Sequence, residues 1–331
     1  MAQTDRQIDY VYILGASHSG STLLAMLLNA HPDVATIGES APGRLGDVES
    51  YRCSCGALMR QCPFWREVTR RMRELGHDFD LEDFGTSFER FSRGLVARAL
   101  RAEHRGPLLE TVRDLILSSS PRWRRARPRI MQRCRDLAAA VLDITGARVF
   151  ADSSKLARRL KLLLRIPEVN VKVVHLVRDG RAVALTYVRQ SEFADARDPR
   201  FRRGGRGEGA PAPYEEMNMA RAAREWRRYM RSAQFVLSGL EPHRWIEVRY
   251  EDLCTDTSAT MRRILDFLGL NSRVEIGDFR SVAHHVIGNG MRLDREAAVR
   301  LDNRWKQALT EAELREFDRS AGQINRRYGY R

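Results

Sequence analysis

One stretch, Tyr10 to His31, limits what the rest of the chain can become. Tyr10 to Leu14 is a short run of β-branched, aromatic and aliphatic residues, the pattern of a strand buried on both faces. Gly15 to Thr22 is small and polar, and Leu23 to Ala30 is an apolar helix with Pro32 just past its end. A buried strand that turns on glycine into a helix gathers backbone N–H groups at the helix N-terminus. The helix dipole favours an anion there.

The spacing is close to a nucleotide phosphate loop. Gly15 and Gly20 bracket four residues, as in G-x-x-x-x-G-K-[ST], but Ser21 stands where the lysine should be. Without that cation the β- and γ-phosphates of ATP lose their main neutralising group. Two hydroxyls and no lysine suit a less charged terminal group.

Later segments repeat the theme. Val34 to Ile37 reads as a strand ending at Gly38-Glu39-Ser40, so an acidic side chain follows a strand end, where open α/β sheets build their sites. Arg148 to Ala151 is a strand leading into Asp152-Ser-Ser-Lys155, followed by a helix from Leu156 to Leu164. Val171 to Val177 is the clearest buried strand, and Arg178-Asp-Gly-Arg opens a new helix at its end. Trp245 to Val248 is a further strand that runs into Arg249-Tyr-Glu-Asp-Leu253, and an amphipathic helix through Met261, Ile264, Leu265 and Leu268 stops at Gly269. A helix from about Tyr214 to Gly239 carries Trp226, Met230, Ala233 and Leu237 on one face, which is core packing.

These alternations predict an α/β fold: a central, mostly parallel sheet flanked by helices, in a phosphate-loop-like arrangement with helical insertions. The 331 residues show no repeat and no clean linker, so 1–331 reads as one domain. Residues 66–146 are mainly helical and charged, and 195–213, rich in Arg, Gly and Pro, reads as a mobile loop. Within the first of these, Pro121 to Pro128 with Arg129 sets five arginines beside Trp123 and reads as a solvated basic turn between helices. Cys53, Cys55 and Cys62 lie close together. No fourth ligand has zinc-site spacing and Cys-x-Cys is a poor match to C-x2-C, so packing or an incidental redox pair is expected and no metal is assigned.

In order, a Gly-Ser loop, a Gly-Glu turn, a second Arg turn, Tyr-Glu-Asp-Leu, and C-terminal Gly-Asn and Trp-Lys motifs resemble the sulfotransferases that use 3′-phosphoadenosine-5′-phosphosulfate (PAPS). The matching motifs run from Val11 to Lys306 and leave about 66–146 without one. The resemblance implies a bacterial member closest to the Golgi-type and tyrosyl-protein branch. It implies transfer of sulfonate from PAPS to an acceptor hydroxyl or amine, with release of adenosine 3′,5′-bisphosphate and no metal required. The 5′-phosphosulfate would lie on Ser17, Ser19, Gly20, Ser21 and Thr22. The 3′-phosphate would lie on Arg178 and Thr186, under a C-terminal loop carrying Asn289, Arg292 and Lys306, with Tyr250 at the adenine. Glu39 would be the base, and Lys155 would meet charge on the transferring group. Where the family usually has Lys or Arg, this chain has His18, expected to take over that cation's work in a pH-dependent way. A further phosphate Arg of one subgroup is replaced by Gln190, beside Arg189. The acceptor, a small molecule or glycan, would be met by 66–146 and 195–213.

The net charge of +14, from 57 Lys and Arg against 43 Asp and Glu, suits anionic ligands. A nucleic-acid binder would interleave basic residues with exposed aromatics along one element, which only 121–129 offers, and it leaves two phosphate turns unexplained. An ATP-dependent small-molecule kinase is the alternative enzyme, opposed by the missing lysine and by the lack of a strand ending in a metal-binding Asp. The polar Met1 to Asp9, the absence of an apolar run of ~20 residues, and an odd count of five cysteines predict a soluble, cytoplasmic protein, with homo-oligomerisation left open.

Overall fold

Parallel strands cannot be joined by a tight turn, so each pairing below requires a crossover of a dozen or more residues. The computed structural model describes residues 7–42, 45, 47–89, 94–103, 106–193, 217–294, 296 and 298–331. The expected loop 195–213 lies outside the described residues. From the N-terminus, β1 (Ile8–Gly15) leads to α1 (Ser21–Asn29) and β2 (Val34–Thr36). Four helices follow: α2 (Pro63–Glu74), α3 (Gly94–Arg101), α4 (Pro107–Ser119) and α5 (Pro121–Thr145). Next come β3 (Val149–Lys155), α6 (Ala157–Leu163), β4 (Val169–Val177), α7 (Gly180–Val188), the short α8 (Gln190–Phe193) and α9 (Met219–Leu237). The last third holds β5 (Trp245–Arg249), α10 (Tyr250–Thr255), α11 (Thr257–Leu268), α12 (Trp305–Ala308), α13 (Glu311–Phe317) and α14 (Gln323–Arg327).

The five strands form one sheet in the order β2-β3-β1-β4-β5, and every neighbouring pair is parallel. Both faces are covered, which is why β1 and β4 read as near-continuous apolar runs. Along β1, Tyr10, Tyr12 and Leu14 enter one core, while Val11 and Ile13 enter the other with Leu23 to Leu28 of α1. A third cluster packs α7 and α9 through Val183, Trp226 and Met230 against Phe317 and Tyr328. No helix among the described residues is long and apolar enough to cross a membrane.

The helices of 66–146 are the crossover between β2 and β3, which lie side by side, and α5 contributes Leu137, Ala138 and Val141 to the core beneath the sheet. The segment 121–129 is not a turn but the opening of α5. Pro121 occupies the first helical position, Ser120 caps the helix by accepting the N–H of Trp123, and the helix continues through Pro128. Trp123 is buried, so the basic run is anchored to the core rather than solvated throughout.

The cysteines also change. His285 lies against the group, with Nδ1 3.5 Å from Cys53 Sγ and 3.4 Å from Cys62 Sγ. A neighbour more than two hundred positions away is invisible to a spacing rule.

A buried polar network locks β1, β2 and β3 together. Asp152 accepts from the hydroxyls of Tyr10 (2.7 Å), Ser40 (2.5 Å) and Ser154 (2.5 Å), and Arg159 Nε lies 3.3 Å from it. Arg159 also donates to Ser40 Oγ (2.9 Å) and to the Thr86 carbonyl (2.8 Å). Burial works against the Asp152 charge, but Arg159 and the hydrogen bonds from Ser154, Ser40 and Tyr10 overcome it and hold the carboxyl below the usual range.

Because that folded-state value is depressed, the stabilisation is complete above the unfolded value of about 3.9 and fades as pH falls through the folded one. Asp152→Asn leaves Arg159 buried without its counter-charge. Urea denaturation should show a loss of about 3–5 kcal/mol at neutral pH, and a shallower fall in stability below about pH 4 than in the wild type. Equal stability of the two proteins at pH 7 would show that the pair does not hold the sheet.

Candidate active site

In an open parallel sheet, side chains that follow strand C-termini face one crevice. Here each of the five strands delivers a candidate residue to that edge: the 15–22 loop after β1, Glu39 after β2, Lys155 ending β3, Arg178 after β4 and Tyr250 after β5.

Backbone shape fixes the first loop. Gly20 has φ +91°, and a Cβ there would sit 2.4 Å from the Tyr250 ring, so only glycine fits beneath that ring. Among the described residues, His18 (φ 64°) and Lys155 (φ 68°) are the two non-glycines with positive φ. Such strained residues cluster at functional sites. No side chain caps α1 at Gly20, and the buried Ser19 hydroxyl has no hydrogen-bond partner. Open N–H groups, an orphaned hydroxyl and the helix dipole fit an anion. Ser17 is half-buried, while Ser21 and Thr22 are buried in the first turn of α1.

Lys155 owes its position to an irregular sheet. Tyr12 pairs with Asp152 but Leu14 pairs with Lys155, so β3 carries one extra residue. This bulge re-aims the end of the strand, and Lys155 Nζ forms an ion pair with Glu39 Oε1. Glu39 is anchored by its own backbone, whose N–H donates to the Ile287 carbonyl (3.3 Å), while Ile287 N–H donates to the Ile37 carbonyl (2.7 Å). A Cβ on Gly288 would lie 3.2 Å from Thr22 Oγ1 and 3.9 Å from Glu39 Oε1. Base candidate, lysine, α1 hydroxyl and the 288 loop thus meet at one point. His18 is half-buried with its ring edge-on to Tyr187 (5.8 Å between centroids).

A second cationic group lies beside the first. The Arg178 guanidinium stacks 4.5 Å over Tyr250 and donates to the carbonyls of His18 (2.8 Å) and Asp302 (3.0 Å). It also pairs with the Asp302 carboxylate at 3.1 Å, and Arg304 grips the same carboxylate through two bonds (2.7 and 2.8 Å). Burial opposes that negative charge, yet the bonds from Arg304 and the nearby Arg178 hold the Asp302 carboxyl well below its usual range. Burial pushes the Tyr250 phenol up. Asp302 and Arg304 were not among the residues expected from the sequence; the signal was their place just before the Trp305-Lys306 motif.

Four expected ligands make contacts within the chain or lie exposed. Arg292 is buried, with its guanidinium on the carbonyls of Gly288 (3.0 Å) and Arg52 (2.5 Å) and over the Tyr51 ring, so it shapes the loop from behind. Asn289 caps the turn at Gly290–Leu293 by accepting the Met291 N–H. The Thr186 hydroxyl donates to Val183 O (2.7 Å) in its own helix. Lys306 is exposed on α12. Arg189, beside Gln190, pairs with Glu313 (3.0 Å).

The family model for the sulfotransferase family matches residues 10–273, from β1 to just beyond α11. The chain belongs to the sulfotransferase family. It is 27% identical over 354 aligned positions to human carbohydrate sulfotransferase 2, covering 93% of this chain and 62% of that protein. It is 31% identical over 179 positions to mouse carbohydrate sulfotransferase 5, covering 51% of this chain and 44% of that one. The chain therefore spans about three-fifths of the length of carbohydrate sulfotransferase 2. Among solved structures, the sulfotransferase domain from the Synechococcus PCC 7002 olefin synthase superposes with a TM-score of 0.47 at 18% identity, covering 100% of this chain and 98% of that one.

Gly20→Ala tests the close approach of the loop to Tyr250. A left-handed alanine costs about 1–2 kcal/mol, and the ring contact adds about 1–3 kcal/mol. Thermal unfolding should drop by several degrees, whereas Gly56→Ala, where a Cβ meets nothing within 4 Å, should carry the backbone cost alone. Equal losses in the two variants would show that the Tyr250 contact adds nothing.

Proposed function

We propose that the chain transfers a sulfonate group from PAPS to a hydroxyl of an acceptor and releases adenosine 3′,5′-bisphosphate. The observation that supports this best is the meeting of Glu39 and Lys155 beside the α1 N-terminus, next to the Arg178–Tyr250 stack. In this reading the cradle Ser17 to Thr22 receives the 5′-phosphosulfate. Arg178, with Arg304, receives the 3′-phosphate, taking over the position of the Asp302 carboxylate, and Tyr250 supports the adenine. Thr186 and Lys306 are retained as outer contacts to the nucleotide, and Asn289 and Arg292 as the frame of the loop above it.

Sulfonate transfer is an in-line displacement. The acceptor oxygen forms a bond to sulfur, the bond from sulfur to the bridging phosphate oxygen breaks, and the acceptor proton goes to the Glu39 carboxylate. Negative charge grows on the sulfonyl and leaving oxygens, where Lys155, His18 and the N–H groups of α1 act as donors already in place. No step calls on a metal.

The carbohydrate sulfotransferase relatives support a carbohydrate hydroxyl as acceptor, and the motifs quoted above are the ground for a place near the Golgi-type branch. Residues 66–146 and 195–213 would form its acceptor side.

Calorimetry separates this from the kinase reading. Adenosine 3′,5′-bisphosphate should bind, and ADP and ATP, which lack the 3′-phosphate, should bind at least about tenfold more weakly. Equal affinities would overturn the proposal. Arg178→Ala should weaken the bisphosphate by about 10–100-fold. Glu39→Gln should leave its affinity intact and lower turnover by about 10²–10⁴-fold. If His18 acts as a cation, His18→Gln should flatten the pH–rate profile between about pH 5 and 8.

A further inference from the structure

We infer that Cys53, Cys55, Cys62 and His285 bind a structural zinc ion. Their ligand atoms all lie within 4.8 Å of one another. A tetrahedral centre with Zn–S near 2.3 Å and Zn–N near 2.0–2.1 Å has S···S edges of about 3.8 Å and S···N edges of about 3.6 Å. The Cys55–Cys62 and Cys53–Cys62 sulfurs are 3.7 and 3.9 Å apart, and His285 Nδ1 lies 3.5 and 3.4 Å from Cys53 and Cys62. Four edges thus match a tetrahedron whose centre holds one ion. A disulfide would bring two of the sulfurs to about 2.05 Å.

The surrounding structure orients the ligands. The His285 ring lies flat on Phe64 (4.3 Å, 3° between planes), which fixes Nδ1 toward the sulfurs. Cys62 ends the loop directly before Pro63, the first residue of α2, so its thiolate sits at a helix N-terminus. The first two cysteines sit on a tight turn: Cys53 N–H donates to the Ala57 carbonyl, Gly56 N–H returns to the Cys53 carbonyl, and Gly56 adopts φ +91°. Cys53 and Cys62 are buried and Cys55 is exposed, giving a closed site with an entry path. Three thiolates and an imidazole with no open position are the donor set of structural zinc.

The position gives the ion a task that does not depend on the reaction proposed above. It would join residues 53–62 to residue 285, two positions before Ile287, whose backbone pairs with Ile37 and Glu39. On the other side of the same loop, Arg292 reaches the Arg52 carbonyl. Zinc would therefore clamp the 285–292 loop against the second strand turn.

The test is elemental analysis of the untagged full-length chain, purified without chelators or a metal column, together with Cys55→Ser and His285→Gln. The wild type should hold about one zinc per chain, and each variant should hold at least about tenfold less. Cobalt substituted into the metal-free wild type should give the absorption of a tetrahedral, thiolate-ligated ion, a readout that stands even if a variant fails to fold. Three results would overturn the inference: wild-type protein that contains no zinc and takes up no cobalt, zinc content unchanged in Cys55→Ser, or a Cys53–Cys62 disulfide found by mass spectrometry in protein kept under reducing conditions.

Discussion

The carboxylate of Asp152 holds the sheet and the edge formed by its strand C-termini in one frame. It is fully buried, and its partners come from β1, the turn after β2, the end of β3 and α6. A charge in such a place is costly unless every lone pair is used. Here Tyr10, Ser40, Ser154 and Arg159 use them all, and the geometry that results dictates what comes next in the chain. Ser40 directly follows Glu39, and Lys155 lies three residues beyond Asp152. The Glu39–Lys155 ion pair is therefore held by the same network that joins the strands.

Much of this was legible because it is local. The strand–loop–helix of residues 10–31 declared itself through apolar runs and glycine, and Glu39, Lys155, Arg178 and Tyr250 each follow a readable strand. The features that were not legible depend on distance or on competition. His285 reaches the cysteines only after the sheet has formed, across a separation of 232 positions from Cys53. The Pro121–Pro128 run looks like a breaker by composition, yet proline suits a first helical turn and the arginines around it are good helix formers. Arg292 has the charge for a phosphate ligand, but here the Gly288 and Arg52 carbonyls and the Tyr51 ring hold its guanidinium.

Two donor-rich zones of different character share the sheet edge. Around α1 the donors are backbone N–H groups and hydroxyls, neutral groups whose field is directional and short in range. Around Arg178 and Arg304 the donors are full charges, and a carboxylate of the chain itself, Asp302, lies between them. The Asp302 carboxylate lets this edge keep two guanidinium groups close together without an unbalanced field.

The strand order has a cost in time. Tyr10 and Asp152 touch, yet 142 residues separate them, and β1 finds both of its neighbours only after β3 and β4 have been made. At translation speeds of about 5–20 residues per second, β1 waits for about 7–30 s before either of its neighbouring strands exists. A fold whose first strand becomes its central one asks the cell to guard its most hydrophobic segment for longest.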